Sequence, residues 1–182
     1  MNIINHLERH INTISSSFIV KEFPYHVSIS IYDNSPMQGL RTYTSLGLSR
    51  YCLDGYHYEI VFCCDMNIPH NEIAYFLLRM IYYFIHNNVK LLRGDVFEYQ
   101  GFIANSKMSE IYVSLPFCFD DEFQVLAHNG VDVIFPLLIP IYHQEAKAIR
   151  KKGWQSFEAY LMDNNIDNLF DISRSVYTGF CI

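Results

Sequence analysis

The sequence has no paired-cysteine spacing, few cations and no apolar run of membrane length, and each lack narrows what the chain can be. Its five cysteines, Cys52, Cys63, Cys64, Cys118 and Cys181, are odd in number and form no C-x-x-C. That disfavours a disulfide framework and predicts free, mostly buried thiols in a reducing cytosol. Cys63 and Cys64 are adjacent within HYEIVFCCD, so on a strand they point to opposite faces. The longest apolar stretch, Ile73 to Ile85, is interrupted by Arg79 and falls short of a membrane span. The N-terminus, MNIINHLERHINTI, has no basic region followed by an apolar one, so no signal peptide is read there. A soluble cytoplasmic protein with no membrane partner is the expectation.

Cations number 13 against 19 carboxylates, giving a net charge of −6 and a pI near 5.7. The basic residues are scattered except for Lys147, Arg150, Lys151 and Lys152. On a helix, Lys147, Arg150 and Lys151 share a face near the C-terminal end, where the dipole favours cations. Direct nucleic-acid binding is therefore not expected. An acidic chain is better matched to a basic partner.

Catalytic and metal signatures are also missing. There is no G-x-S-x-G, no H-E-x-x-H and no glycine-rich phosphate loop, and Gly94-Asp95 stands by itself. Ser45 in YTSLG sits near a glycine but lacks a strand-to-helix elbow. His6 and His10, at i and i+4 on the first predicted helix, read as an exposed polar side rather than a zinc site. No catalytic residue, metal or cofactor is expected. One enzyme reading stays open, a Cys118–His143 pair, and it predicts a perturbed thiol.

What the chain does contain is apolar and aromatic. Its 182 residues are 51% hydrophobic and include 14 Tyr and 14 Phe. This length fits one domain, residues 1–182. The aromatic excess reads first as a Tyr/Phe-rich core. An aromatic binding surface is the alternative, and the same content leaves a homodimer open.

Periodicity predicts a helix from Asn2 to Ile14, stopped by three serines. Strands follow at Tyr25 to Tyr32, Arg41 to Ser49 (broken by Gly47) and Tyr58 to Cys64, with turns at Asp33 to Pro36 and at Asp54-Gly55. Pro69 then opens a helix whose apolar side, Ile73, Phe76, Leu77, Met80, Ile81, Phe84 and Ile85, must pack on a sheet. Val96 to Tyr99 and Ser109 to Leu115 read as further strands, Phe117 to Phe123 as an acidic loop, and Val131 to Ile141 as a buried strand. Tyr142 to Lys152 is a helix with Glu145 in its first turn, favourable against the dipole. Gly153 ends it, Trp154 to Met162 forms another, and an acidic tail runs from Asn164 to Asp171. Pro136 and Pro140 lack N–H donors and suit a strand edge or end. The fold class is α+β, with a mixed, mainly antiparallel sheet and helices packed over it.

Set in order, TYTSLGLS at Thr42 to Ser49, YEIVFCC, a long amphipathic helix, LLRGDVF, SEIYVSLPF and VIFPLLIPIYHQEAKAIRKKGWQSFEAYL resemble the suppressor of fused domain family. The matching positions are Thr42 or Thr44 with Gly47 and Ser49; Gly94 and Asp95; and Pro140, Tyr142, Glu145 and Gly153, with Phe157 at a Leu-like position. Arg174-Ser175-Val176 resembles the family's C-terminal R-x-V element. The similarity runs from about Tyr25 to Val176.

The resemblance implies a suppressor of fused-like fold and binding rather than catalysis, with the motif residues as fold determinants. The animal member holds a transcription factor whose peptide adds a strand between two domains; short bacterial members are commonly immunity proteins that neutralise a secreted toxin, often a nuclease. The high Asn, Ile and Tyr content agrees with an AT-rich bacterial genome. The expected partner is a cognate, basic toxin domain. The alternative is a regulatory binder of a peptide or transcription factor by strand addition, favoured by a free sheet edge near Ser109 to Leu115. For the partner surface, the acidic loop Asp120, Asp121 and Glu122 with its neighbours Phe119 and Phe123 is the first candidate. Asp163, Asp167 and Asp171, spaced every four residues, are the second.

Overall fold

The computed structural model describes residues 2–99 and 106–182. Among these residues ten strands form two sheets. The larger runs in the order β1 (Ser16–Phe18), β2 (Ser28–Asp33), β3 (Leu40–Leu46), β5 (Val61–Asp65), β10 (Leu137–Ile141), β7 (Glu110–Ser114), β6 (Val96–Glu98). The smaller contains β4 (His57–Tyr58), β9 (Val131–Ile134) and β8 (Val125–His128). In the large sheet β5 and β10 are parallel and the other neighbours antiparallel. The class is α+β with a mixed, mainly antiparallel sheet.

Two stretches that read as single strands are each divided between the sheets. Tyr58 to Cys64 separates into β4 and β5, and Val131 to Ile141 into β9 and β10. They bend together: His57 and Tyr58 face Val133 and Ile134, then Val61 and Phe62 face Leu137 and Leu138. Across the bend Glu59 N donates to Ile134 O at 3.0 Å and Val61 N to Pro136 O at 2.9 Å, so the register does not slip. Pro136, with no N–H to place in a ladder, stands at the bend itself. Pro140 lies inside β10 but beyond the reach of β5, so it is locally at an edge.

Alternation along the strands builds two cores. Ile29, Ile31, Tyr43, Phe62 and Cys64 point to one face, where α2 (His70–His86) packs through Ile73, Phe76, Leu77, Met80, Ile81 and Phe84. Burying each such side chain stabilises by roughly 1.5–3 kcal/mol. Tyr32, Val61, Cys63, Tyr112 and Ile139 point to the other face. They meet α1 (Ile3–His10), α3 (His143–Lys152), α4 (Trp154–Asp163) and the short α5 (Thr178–Cys181), together with the small sheet. Cys63 and Cys64 do face opposite ways, both fully buried.

Other boundaries moved for local reasons. The first helix stops at His10 rather than Ile14, with Asn2 capping Asn5 N at 2.8 Å. Its continuation leads into β1, where serines expected only to end a helix form an edge strand on β2. The smaller sheet's β8 was missed because Val125–His128 is short and half exposed. Strand β7 is not a free edge: β10 and β6 flank it, and Val113 exchanges bonds with Gly94 and Asp95 beyond β6. No helix among the described residues is long and apolar enough to cross a membrane.

Candidate functional site

The motif residues converge on buried carboxylates. Glu59, at the bend between sheets, is fully buried and accepts from Ser45 Oγ at 2.5 Å, Gly47 N at 2.9 Å and Leu48 N at 3.3 Å. Ser49 adds its N–H at 3.1 Å and its hydroxyl at 2.7 Å. A carboxylate without a cation is tolerated inside only when its lone pairs are filled this way. Gly47 makes it possible: its φ of +108° turns the following amides inward, and a Cβ there would stand 2.5 Å from His26 O.

Glu145 is the second. It caps its own helix by accepting from Tyr142 N at 3.0 Å, and accepts from Tyr177 N at 2.8 Å. Arg174 meets both of its oxygens, at 2.7 and 2.9 Å, and lies 3.9 Å from the Tyr177 ring centre. Arg174 also reaches Pro140 O at 3.5 Å, and Tyr142 Oη donates to Arg174 O. The segment Tyr142 to Glu145 is thus a strand-to-helix junction that also anchors the C-terminal tail. A third carboxylate, Glu110, accepts from His143 Nδ1 and Arg150 Nη2, each at 2.9 Å.

These arrangements hold the fold together. Among the described residues a groove of about 620 Å³ lies between the acidic loop and α4 with its tail. Tyr112 and Ile139, direct cross-strand partners, contribute to its lining from the sheet. Phe117, Asp121 and Gln124 line it from the loop; Leu161, Met162 and Ile166 line it from the helix and tail. Phe117 is 56% exposed and Met162 77%, so both present apolar surface along the groove.

A polar set holds the groove's shape. Glu158 accepts from Tyr112 Oη at 2.6 Å, Ser114 Oγ at 3.3 Å and Arg93 Nε at 3.2 Å, and pairs with Arg93 Nη2 as well. Arg93 stacks 4.5 Å above Trp154. Burial, reinforced by the Glu158 charge, pushes the Tyr112 phenol far up, and the bond to Glu158 raises Arg93. Both therefore stay protonated at neutral pH and donate to Glu158. Gly94 fits beneath the indole only because it lacks a side chain: a Cβ would lie 2.3 Å from Trp154, at a φ of +96°.

The loop residues singled out from sequence take three different positions. Asp121 lines the groove and accepts from Gln124 Nε2 at 3.1 Å. Asp120 and Glu122 are exposed but turn to α1, pairing with His10 Nδ1 at 2.8 Å and Arg9 Nη2 at 3.2 Å. The bond from His10 draws the Asp120 carboxyl down. Phe123 is fully buried and Phe119 packs against it, so both rings support the loop from below. Asp163 and Asp167 are exposed next to groove-lining residues, while Asp171 is partly occupied by Ser173 N and Oγ at 2.8 and 2.6 Å.

His6 is not on an exposed polar side. It is 2% exposed, stacked between Phe123 and Phe135, with Nε2 3.1 Å from Phe123 O. A carbonyl only accepts, so Nε2 carries the proton, and burial lowers the pKa. Among the described residues no group of three or more His, Cys, Asp or Glu side chains could hold a metal. Cys118 and His143 have separate partners: Cys118 lies against buried Cys63, whose thiol burial pushes well up, and His143 faces Glu110. Arg93, Phe117 and Met162 were passed over in the sequence, because nothing in their local pattern marks them until the fold sets them around one groove.

Comparison with known proteins agrees with this architecture. The family model for Suppressor of fused protein (SUFU) matches residues 24–175. Immunity protein YqcF of Bacillus subtilis (strain 168) is 23% identical over 154 residues, covering 81% of this chain and 80% of that protein. A SUFU homolog from Neisseria gonorrhoeae FA 1090 superposes with a TM-score of 0.71 at 19% identity, over 94% of this chain and 92% of that one. A chain of the Sufu–Fu complex gives 0.73 at 15% identity, covering 98% and 93%. Drosophila Suppressor of Fused gives 0.64 at 17% identity over 84% of this chain, which spans only 44% of it.

Proposed function

Because the chain belongs to the suppressor of fused protein family, we propose that it is a non-catalytic immunity protein that binds and masks a secreted toxin domain in the cytoplasm. The relative named an immunity protein matches most of both chains, which supports this role. The observation that carries it is the groove edged by Asp121, with the large apolar side chains of Phe117 and Met162 left exposed along it. Apolar side chains gathered along a cleft, rather than scattered singly, suit an interaction surface. An acidic inhibitor of net charge −6 suits a basic toxin, a nuclease above all, because complementary potential speeds encounter.

Regulation by strand addition near Ser109 to Leu115 is less well supported, since β7 is flanked on both sides. The test of the immunity role is to search the genes beside this one for a secreted toxin domain and to coexpress it with this chain. Rescue of growth together with a stable 1:1 complex supports it. Continued toxicity and no complex at micromolar concentrations refute it.

A further inference from the structure

We infer that the groove between the acidic loop and α4 takes a protruding segment of a basic protein, one that presents a large apolar side chain next to a lysine or arginine. The inference rests on the immunity reading and specifies which surface acts and what it recognises.

The first argument is shape. About 620 Å³ lies within the range of sites that enclose a ligand group rather than a flat contact. The lining reaches inward as far as Tyr112 and Ile139 on the sheet, so an inserted side chain finds an apolar bottom, not water. Phe117 is stacked on Phe170, at 6.2 Å between ring centres, and so offers a ring already held in place. Met162 opposite it is unbranched and adaptable, the residue type that moulds to an incoming group.

The second argument is charge. Arg93 is the groove's lining cation, and Glu158 neutralises it through two bonds while Trp154 covers it. Among the described residues the Asp121 carboxylate meets only the amide of Gln124. Exposed Asp163 and Asp167 flank Met162 and Ile166 on the other side. The net field at the mouth is therefore negative. An acidic or phosphorylated segment would be repelled there, and a purely apolar one would leave Asp121 desolvated without a partner. A segment carrying both an apolar and a basic side chain satisfies both.

The experiment measures binding of the toxin domain identified by that coexpression test, in catalytically inactivated form, to the full chain, by calorimetry and by association rate at two salt concentrations. Variants are Asp121→Lys with Met162→Lys, the conservative Asp121→Glu, and Tyr82→Lys on the exposed side of α2 as a control. All three positions are solvent-exposed, and melting curves verify folding. The double change is expected to weaken binding on the order of 100-fold or more, with slower association, while Tyr82→Lys stays within a few-fold of the unmodified chain and Asp121→Glu, which keeps the charge, retains the salt dependence of association. Raised salt should slow association of the unmodified chain and lose that effect in the double variant. Unchanged affinity and salt response in the folded double variant overturn the groove and leave the immunity role standing. Failure of the unmodified chain to bind overturns both.

Discussion

Arg174 and Glu145, 29 positions apart, meet in a bidentate ion pair with neither side chain exposed. The pair joins the tail to the start of α3, where Glu145 is already the helix cap. Breaking one half leaves a charge with no water to solvate it. Arg174→Met or Glu145→Ala should each cost about 3–5 kcal/mol of unfolding free energy, and the double apolar replacement less than the sum. Denaturant titration of the three variants tests this; a loss below 1 kcal/mol for either single change would contradict it.

Glu59→Gln should destabilise although it is nearly isosteric. An amide nitrogen placed in the Ser45–Ser49 cradle would point a donor at donors. The expected loss is about 2–4 kcal/mol, since several charge-assisted bonds weaken together. Equal stability of the glutamine variant in thermal unfolding would contradict the cradle.

Gly94→Ala should lower stability by at least about 1–2 kcal/mol from backbone conformation, with the clash against Trp154 added. It should also widen the groove, because Trp154 supports Arg93 and through it Glu158. A melting temperature equal to that of the unmodified chain would show that neither constraint holds.

Acidification should loosen α1 from the acidic loop. Burial holds the His6 pKa below its ordinary value of 6.5, so the folded state binds fewer protons there than the unfolded chain. That contribution is fully present above pH 6.5 and is lost as pH falls through the lowered folded value. A proton on Nδ1 would have no acceptor, since that atom is buried without a partner. His10 and Arg9 oppose the added charge, while Asp120 favours it. His6→Phe, which preserves stacking with Phe123 and Phe135, should flatten the dependence of stability on pH below 6.5. An unchanged slope would assign the dependence to other groups.

Loss of the surface contact between Arg9 and Glu122 should matter little by itself. Both side chains are well exposed, and such pairs contribute about 0–1 kcal/mol. Arg9→Ala is expected to unfold within 1 kcal/mol of the unmodified chain, and a larger shift would mean that α1 depends on this pair.

The sequence by itself determined the class of the fold, most of its elements and the family. Period-two alternation in Ser28–Asp33 and period-3.6 spacing in His70–His86 are local signals that tertiary packing reinforces. The prolines, Gly47 and Gly153 announced breaks because backbone geometry is also local. Tertiary structure decided what no window along the chain contains. It divided two apparent strands between two sheets, because both bend at one place where their shared register continues. It turned Glu59 and Glu145 from ordinary polar positions into buried anchors, since their partners other than Tyr142 N lie 10 to 32 residues away. It buried His6 and sorted one acidic loop by direction: Asp120 and Glu122 toward α1, Asp121 toward the groove, Phe123 into the core. Side-chain direction in a loop follows from what packs beneath it, and only the folded chain supplies that.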